Sequence, residues 1–243
     1  MLQAVIFDMD GTLLDSEVIH YIVIRDIIRK ELGADQSMQG YLKYCGVPDH
    51  KMWPMILEET DSAAVAALAE KWNMAADDGF AALSAELERI HWMEYDRYIE
   101  RNGVKPFPGV RELMASLKEE GIKIAIATGS LVRIVNHNLE LLGITEFVEA
   151  VATSEDCLNG KPAPDVFLLA ADKLGVDPED CLVVEDAGNG LLGAARAGMA
   201  CAGFDGSELP SDMTLAPVVF SDYRKVRAED LRGWHREQKK NRY

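Results

Sequence analysis

From Pro106 onward, short apolar runs alternate with segments of helical spacing, and few folds accommodate that alternation. Val110 to Glu120 has apolar residues at helical intervals and stops at Gly121; Ile122 to Ala127 is a continuous apolar run; Val132 to Leu142 is helical again and stops at Gly143. The strand signal returns at Phe147 to Ala152, Cys181 to Val184 and Ala200 to Phe204, with Val166 to Leu174 and Leu191 to Ala197 as intervening helices. Apolar strands separated by helices predict a parallel sheet covered on both faces. Ala4 to Phe7 is a further strand of this kind, so the expected class is α/β, with a Rossmann-like parallel core.

The stretch from Ser16 to Asn102 breaks that rhythm. Val18 to Leu32, Ala63 to Trp72 and Leu83 to Ile99 are long amphipathic patterns with no convincing strand among them. The expected organisation is a core of residues 1–15 and 103–243 with a helical insert over 16–102. Sheet-type alternation resumes only after Pro106-Phe107-Pro108-Gly109, so the insert should leave and rejoin the core near the end of the first strand. A chain of 243 residues with 48% apolar residues can bury such a core.

Charge narrows the partners. Lys plus Arg number 25 against 41 Asp plus Glu, a formal charge of -16, which repels nucleic-acid backbones and anionic lipid surfaces. Arg236, Lys239, Lys240 and Arg242 form a short basic patch that reads as a solvated terminus. Cys45, Cys157, Cys181 and Cys201 are scattered without a CxxC pair, which signals neither a disulfide framework nor a zinc site and fits a reducing cytoplasm. No targeting segment or membrane-length apolar run is evident. The expectation is a cytoplasmic monomer acting on a small metabolite, with no nucleic-acid or membrane partner.

In parallel sheets of this kind ligands bind outside the carboxyl ends of the strands, so the polar residues that follow a strand matter most. Asp8 and Asp10 follow the first; Thr128, Gly129 and Ser130 follow Ile122 to Ala127; Glu185 and Asp186 follow Cys181 to Val184. Lys161 lies in the loop after Phe147 to Ala152. Each group alone has a structural reading: Asp-Gly is a common turn pair, Thr128-Gly129-Ser130 can cap a helix, and a single lysine is usually solvated. Four strand ends delivering such groups to one crevice are harder to obtain by accident.

Two neighbouring carboxylates repel, and each prefers a cation or a shared proton nearby. Mg²⁺ takes one or two carboxylates together with substrate phosphate and water, and Asp8, Asp10 and Asp186 can form such a site. With charge neutralised by the metal, one carboxylate can attack a phosphoryl group while the other protonates the leaving oxygen. The task has two halves and two acids.

The segments "FDMDGTLLDSE", "IATGS", "GKPAPDVFLLAADKLG" and "VVEDAGNGLLGAARAGM" resemble the four ordered motifs of the haloacid dehalogenase superfamily, in its phosphatase branch with a helical cap inserted after the first strand. The likeness runs from Met1 to about Asp222. It implies an Mg²⁺-dependent phosphatase hydrolysing a small organic phosphate monoester, such as a sugar phosphate, through an aspartyl-phosphate. Asp8 would be the nucleophile, and Asp10 the general acid and then the general base for the hydrolytic water. Thr128, with the backbone N–H groups of Gly129 and Ser130, would hold the phosphoryl oxygens beside a helix start, and Lys161 would bridge Asp8 and phosphate. Mg²⁺ would be ligated by the Asp8 side chain, the Asp10 carbonyl and Asp186, with Glu185 directly or through water. His20 sits where the branch carries a cap histidine, a substrate-binding candidate.

Alternatives differ in particular residues. Dehalogenases and phosphonate hydrolases of the superfamily lack an acid two residues after the nucleophile, so Asp10 favours phosphoryl transfer. A β-phosphoglucomutase-type mutase uses a cap lysine, whereas the corresponding stretch here is Glu94-Tyr95-Asp96-Arg97-Tyr98, and a guanidinium is no simple replacement for an ammonium. The cap loop Cys45 to Lys51 is expected to read the substrate. A non-catalytic, receiver-like phosphate sensor would have adjacent acids on its first strand and no insert.

Overall fold

The computed structural model describes residues 1–44, 47, 49–74, 80–207, 209 and 211–241. Packing divides the chain into two compact units, one of Met1–Ser16 with Val104–Tyr243 and one of Glu17–Gly103.

The secondary-structure elements of the second unit are all helical among its described residues. α1 (Ser16–Ile27) continues as a wider π-type turn, Ile28–Leu32, that ends at Gly33 with φ 64. α2 (Met38–Tyr41) and α3 (Asp49–Glu59) follow, then α4 (Ser62–Trp72) and α5 (Ala81–Asn102). Asp61 starts α4 by accepting from the N–H groups of Ala63 and Ala64. α5 buries Leu83, Leu87, His91, Tyr95 and Ile99, a stripe at four-residue spacing, and α3 buries Met52, Trp53, Ile56 and Leu57. No helix was expected over α3, and Asp49 to Lys51, read as part of the cap loop, form its first turn; Pro54 inside it removes a single ladder hydrogen bond, and the buried face holds the turn. Of the cap loop, Cys45, Gly46 and Pro48 lie outside the described residues.

The first unit carries the sheet. β1 (Ala4–Phe7), β2 (Lys123–Ala127), β3 (Ala150–Ala152), β4 (Cys181–Glu185), β5 (Ala200–Phe204) and β6 (Val219–Phe220) are all parallel, in the order β3-β2-β1-β4-β5-β6. α6 (Val110–Glu119), α7 (Val132–Leu142), α8 (Asp165–Leu174), α9 (Gly188–Arg196) and α10 (Ala228–Lys240) cover it. Strand alternation explains the two cores. Val5, Phe7, Ile124, Ile126, Leu182 and Val184 pack with Val110, Leu113, Val135, Leu139 and Leu231 on one face. Ala4, Ile6, Ala125, Ala127 and Val183 pack with Val166, Phe167, Ala170, Leu191 and Ala194 on the other.

Three expectations need correction. The run Phe147 to Ala152 is a strand only from Ala150, because Thr145–Phe147 close a 3-10 turn in which Phe147 and Val148 donate back to Ile144 and Thr145. β6 was not expected, being two residues long. Arg236, Lys239 and Lys240, read as a solvated terminus, are part of α10, which buries Leu231 and His235, and of the three only Arg236 and Lys240 are exposed; Arg242 lies outside the described residues. Lys239 is tied to Asp180 at 2.9 Å and Glu179 at 3.2 Å.

α10 also completes the sheet. β6 reaches only Gly203 and Phe204 of β5, so the N–H and C=O of Cys201 face outward beyond its end. The Gln238 side chain takes both, accepting from Cys201 N and donating to Cys201 O at 2.9 Å each. Leaving two partly buried backbone groups unpaired costs about 1–3 kcal/mol. Gln238→Ala is therefore expected to lower unfolding free energy by about that amount, measured by urea denaturation with an unchanged slope.

Candidate active site

The strand order reverses at β1, since the chain moves outward through β2 and β3 and then crosses to β4 on the other side. Ligand crevices form outside the carboxyl ends at such a reversal. Register brings the ends level: Phe7 pairs with Val184 and with Ile126, and Asp8 N donates to Val184 O at 2.9 Å. Asp8 and Glu185 thus emerge side by side.

Lys161 stands between them. Its Nζ lies 2.5 Å from Asp8 Oδ1 and 3.2 Å from Glu185 Oε1. Asp8 is 5% exposed and Glu185 2%, so water does little to screen these charges. Burial, reinforced by the charges of Glu185 and Asp10, pushes the Asp8 carboxyl well above its ordinary range, while Lys161 opposes the rise. Burial would lower the Lys161 ammonium, but Asp8 and Glu185 outweigh it and raise the group.

Asp10 is held from β2. Ser130 Oγ donates to Asp10 Oδ2 at 2.5 Å and Thr128 Oγ1 to the same oxygen at 3.5 Å. The Ser130 N–H, expected to face a phosphoryl group, here donates to Thr128 Oγ1 at 3.1 Å, and the N–H of Val132 at the start of α7 is taken by Glu155. Gly129 has nothing within 4 Å of where a Cβ would stand, so an incoming group has room beside its backbone. Asp186 closes the set: its Oδ1 accepts from Thr12 Oγ1 at 3.1 Å, and its N–H donates to Glu185 Oε2 at 2.9 Å.

Asp8, Glu185 and Asp186 each place a carboxylate oxygen within 4.8 Å of the others. Those carboxylates, added to Asp10, outnumber the ammonium of Lys161, and the charges of Glu185 and Asp10 add to burial in raising the Asp8 carboxyl. A hard divalent cation with oxygen preference fits this donor set.

Two glycines make room for the acids. A Cβ on Gly11, whose φ is +77, would lie 2.1 Å from Asp186 Oδ2, and one on Gly190 would lie 1.5 Å from Glu185 Oε1. Gly190 and Thr12 went unnoticed in the sequence, although the "DGT" and "EDAGNG" segments contain them. His20 belongs to the helical unit. There its Nδ1 lies 2.9 Å from His91 Nε2 and its ring stacks on Tyr95 at 4.4 Å. Burial, with the adjacent His91, lowers it to about 3.

Comparison with known proteins follows the same outline. A family model described as haloacid dehalogenase-like hydrolase matches residues 2–198. Fructose-1-phosphate phosphatase YqaB of Escherichia coli strain K12 is 32% identical over 194 residues, covering 80% of this chain and 92% of that protein. Hexitol phosphatase B of the same organism is 29% identical over 232 residues, 95% of this chain and 96% of its own. The crystal structure of CbbY from Rhodobacter sphaeroides in complex with phosphate shares the fold, with TM-score 0.75 at 22% identity, covering 96% of this chain and 100% of that one. These matches leave no place for the receiver-like reading.

Gly190 lies in α9, where alanine is intrinsically the better helix former by up to about 1 kcal/mol. The overlap with Glu185 should reverse that sign, and Gly190→Ala is expected to lose about 1–3 kcal/mol of stability, checked by chemical denaturation beside the wild type.

Proposed function

The chain belongs to the haloacid dehalogenase-like hydrolases and is a phosphate monoester hydrolase, and from that premise we propose that it is an Mg²⁺-dependent sugar or polyol phosphate phosphatase working through an aspartyl-phosphate on Asp8. The observation that carries this reading is the largely buried Lys161 ammonium between Asp8 and Glu185, with Asp10 held separately by Ser130 and Thr128.

A carboxylate oxygen of Asp8 attacks phosphorus, and the bond from phosphorus to the ester oxygen breaks. Asp10 gives its proton to the departing alkoxide. It then takes a proton from water, whose oxygen attacks the same phosphorus and releases Asp8 and inorganic phosphate. Lys161 offsets charge on Asp8 and on the phosphoryl oxygens. Ser130 and Thr128 fix the Asp10 carboxyl and, with Gly129, line the place for the phosphoryl group. Mg²⁺, which the Asp8 and Asp186 side chains and the Asp10 carbonyl would hold with Glu185 alongside, supplies positive charge that favours an ionised Asp8 and a polarised phosphoryl group.

The sugar and polyol class is supported by the names of the two Escherichia coli relatives. The helical unit, Glu17–Gly103, is assigned the role of the family's cap, and substrate selection with it. His20 is assigned to substrate there as a neutral hydrogen-bonding group, since a ring lowered to about 3 carries no positive charge for a phosphate.

The test is a panel of phosphorylated two- to six-carbon acids, sugars and polyols with Mg²⁺, scored for phosphate release. Sugar or polyol esters should give the highest kcat/KM. Isomerisation of β-glucose 1-phosphate without stoichiometric phosphate release would replace hydrolysis by mutase chemistry, and silence across the panel would remove the proposal. Asp8→Asn should lower kcat by about 10³-fold or more with the fold retained by circular dichroism. Asp10→Asn should accumulate a phosphoenzyme, and peptide mapping should find the label on Asp8.

A further inference from the structure

Tyr223 is 1% exposed in the turn Tyr223–Lys225 that follows β6. Its ring packs against Phe204 at 4.5 Å and Phe220 at 5.1 Å, and Phe107 lies against Phe204 at 4.8 Å. A phenylalanine would fill this apolar cluster equally well, and a hydroxyl buried in it costs free energy unless bonded. Tyr223 OH donates to the carbonyl of Thr12 at 2.9 Å in a buried contact. The phenol remains a donor, because burial and the charges of Asp186, Asp8 and Glu185 push it well above its ordinary range.

Thr12 passes the constraint on. Its Oγ1 donates to Asp186 Oδ1 at 3.1 Å, while Asp186 Oδ2 packs where Gly11 lacks a side chain. The Asp186 carboxylate is therefore held at Oδ1 by, and packed at Oδ2 against, the loop that Tyr223 anchors. Gly109 makes the approach possible: its φ is +95, and a Cβ there would meet Arg224 N at 2.5 Å and Tyr223 C at 2.7 Å.

We infer that Tyr223 is a positioning residue for the metal site, its hydroxyl fixing Thr12 so that Thr12 fixes the Asp186 carboxylate. The inference rests on the reading of Asp186 as a ligand in the proposed function. A partner that orients a ligating carboxylate without touching the ion commonly changes metal affinity about tenfold or more when removed.

The test is titration of the full chain with Mn²⁺ alone, following loss of the free-ion electron paramagnetic resonance signal, in the wild type and in Tyr223→Phe, Thr12→Val, Thr12→Ser and the Tyr223→Phe/Thr12→Val double variant. Tyr223→Phe should weaken Mn²⁺ by about three- to tenfold and Thr12→Val at least as much. Thr12→Ser should stay near the wild type. The double variant should match Thr12→Val within about twofold, because both act in series on one carboxylate. Substrate KM at saturating metal should move less than about twofold in Tyr223→Phe, separating positioning from general loosening. A Tyr223→Phe protein that is less stable but keeps wild-type Mn²⁺ affinity would overturn the inference, as would strict additivity in the double variant. If Tyr223→Phe fails to fold, wild-type affinity in Thr12→Val overturns it alone. Wild-type protein that takes up no Mn²⁺ would remove the metal reading and this inference with it.

Discussion

A largely buried ammonium between two buried carboxylates is costly to assemble, and the arrangement of Lys161 with Asp8 and Glu185 sets demands on the surrounding core. Without Lys161, burial and the charge of Glu185 would drive Asp8 further towards its neutral form. Yet Lys161 sits in a loop, so its place is fixed from elsewhere. Asn159 donates to Asp165 at 3.1 Å at the start of α8, and Arg196 at the end of α9 donates to the Pro162 carbonyl at 2.9 Å. Beneath, the ammonium lies 5.0 Å from the centroid of the buried Phe167 ring. That ring is itself against Gly193, where a Cβ would come within 3.0 Å. The small residues of α9 thus let a helix come close enough to seat both an acid and the floor under its counter-charge.

The loop after β1 meets a different demand, because it must carry Asp10 and Thr12 and also release the chain towards the helical unit. Met9 O accepts from Leu13 N at 2.8 Å, and Gly11 N donates to Leu14 O at 2.9 Å, which turns the backbone tightly around the acids. Leu14 then bridges Pro106, and Phe107 N donates to Leu13 O at 2.8 Å. The outgoing and returning segments are paired before the core is left behind, so an insert of many residues costs the active-site loop little order. Ser207, in the loop after β5, holds Asp15 at 2.7 Å from the other side.

What could be read in the sequence follows from how far each signal reaches. β1, β5 and α7 have the bounds expected, because an apolar run or a helical stripe ending in glycine is a local signal. β4 extends one residue further, to Glu185, since that residue's backbone still pairs with Gly203 while its side chain serves the crevice. That Asp8, Asp10, Thr128, Glu185 and Asp186 share one end of the sheet was legible because a residue just past a parallel strand has little choice about which end it occupies, whereas Lys161 lies further along the loop after β3 and is brought in from there. Ser130 as a partner of Asp10, Gly190 as room for Glu185, and Gln238 as a substitute strand were not. Each depends on a contact between distant segments, such as the Gln238 amide reaching Cys201, and nothing in the residues around Gln238 marks it out. α10 was hidden for the same reason: its charged sequence dominates, while Leu231 and His235 face inward.

The helical unit holds one arrangement in which chemistry is set from a distance. Asp49 lies 3.3 Å from His91 Nδ1, and its carboxyl is lowered by the hydrogen bond and charge of His91 against the opposing effect of burial. An ionised carboxylate only accepts, so the proton between them belongs to His91 Nδ1. The 2.9 Å contact of His91 Nε2 with His20 Nδ1 likewise holds one proton, and whichever ring carries it makes the other nitrogen the acceptor. Asp49, two contacts from His20, thus acts on the hydrogen bonding of His20 through the ring of His91 that lies between them.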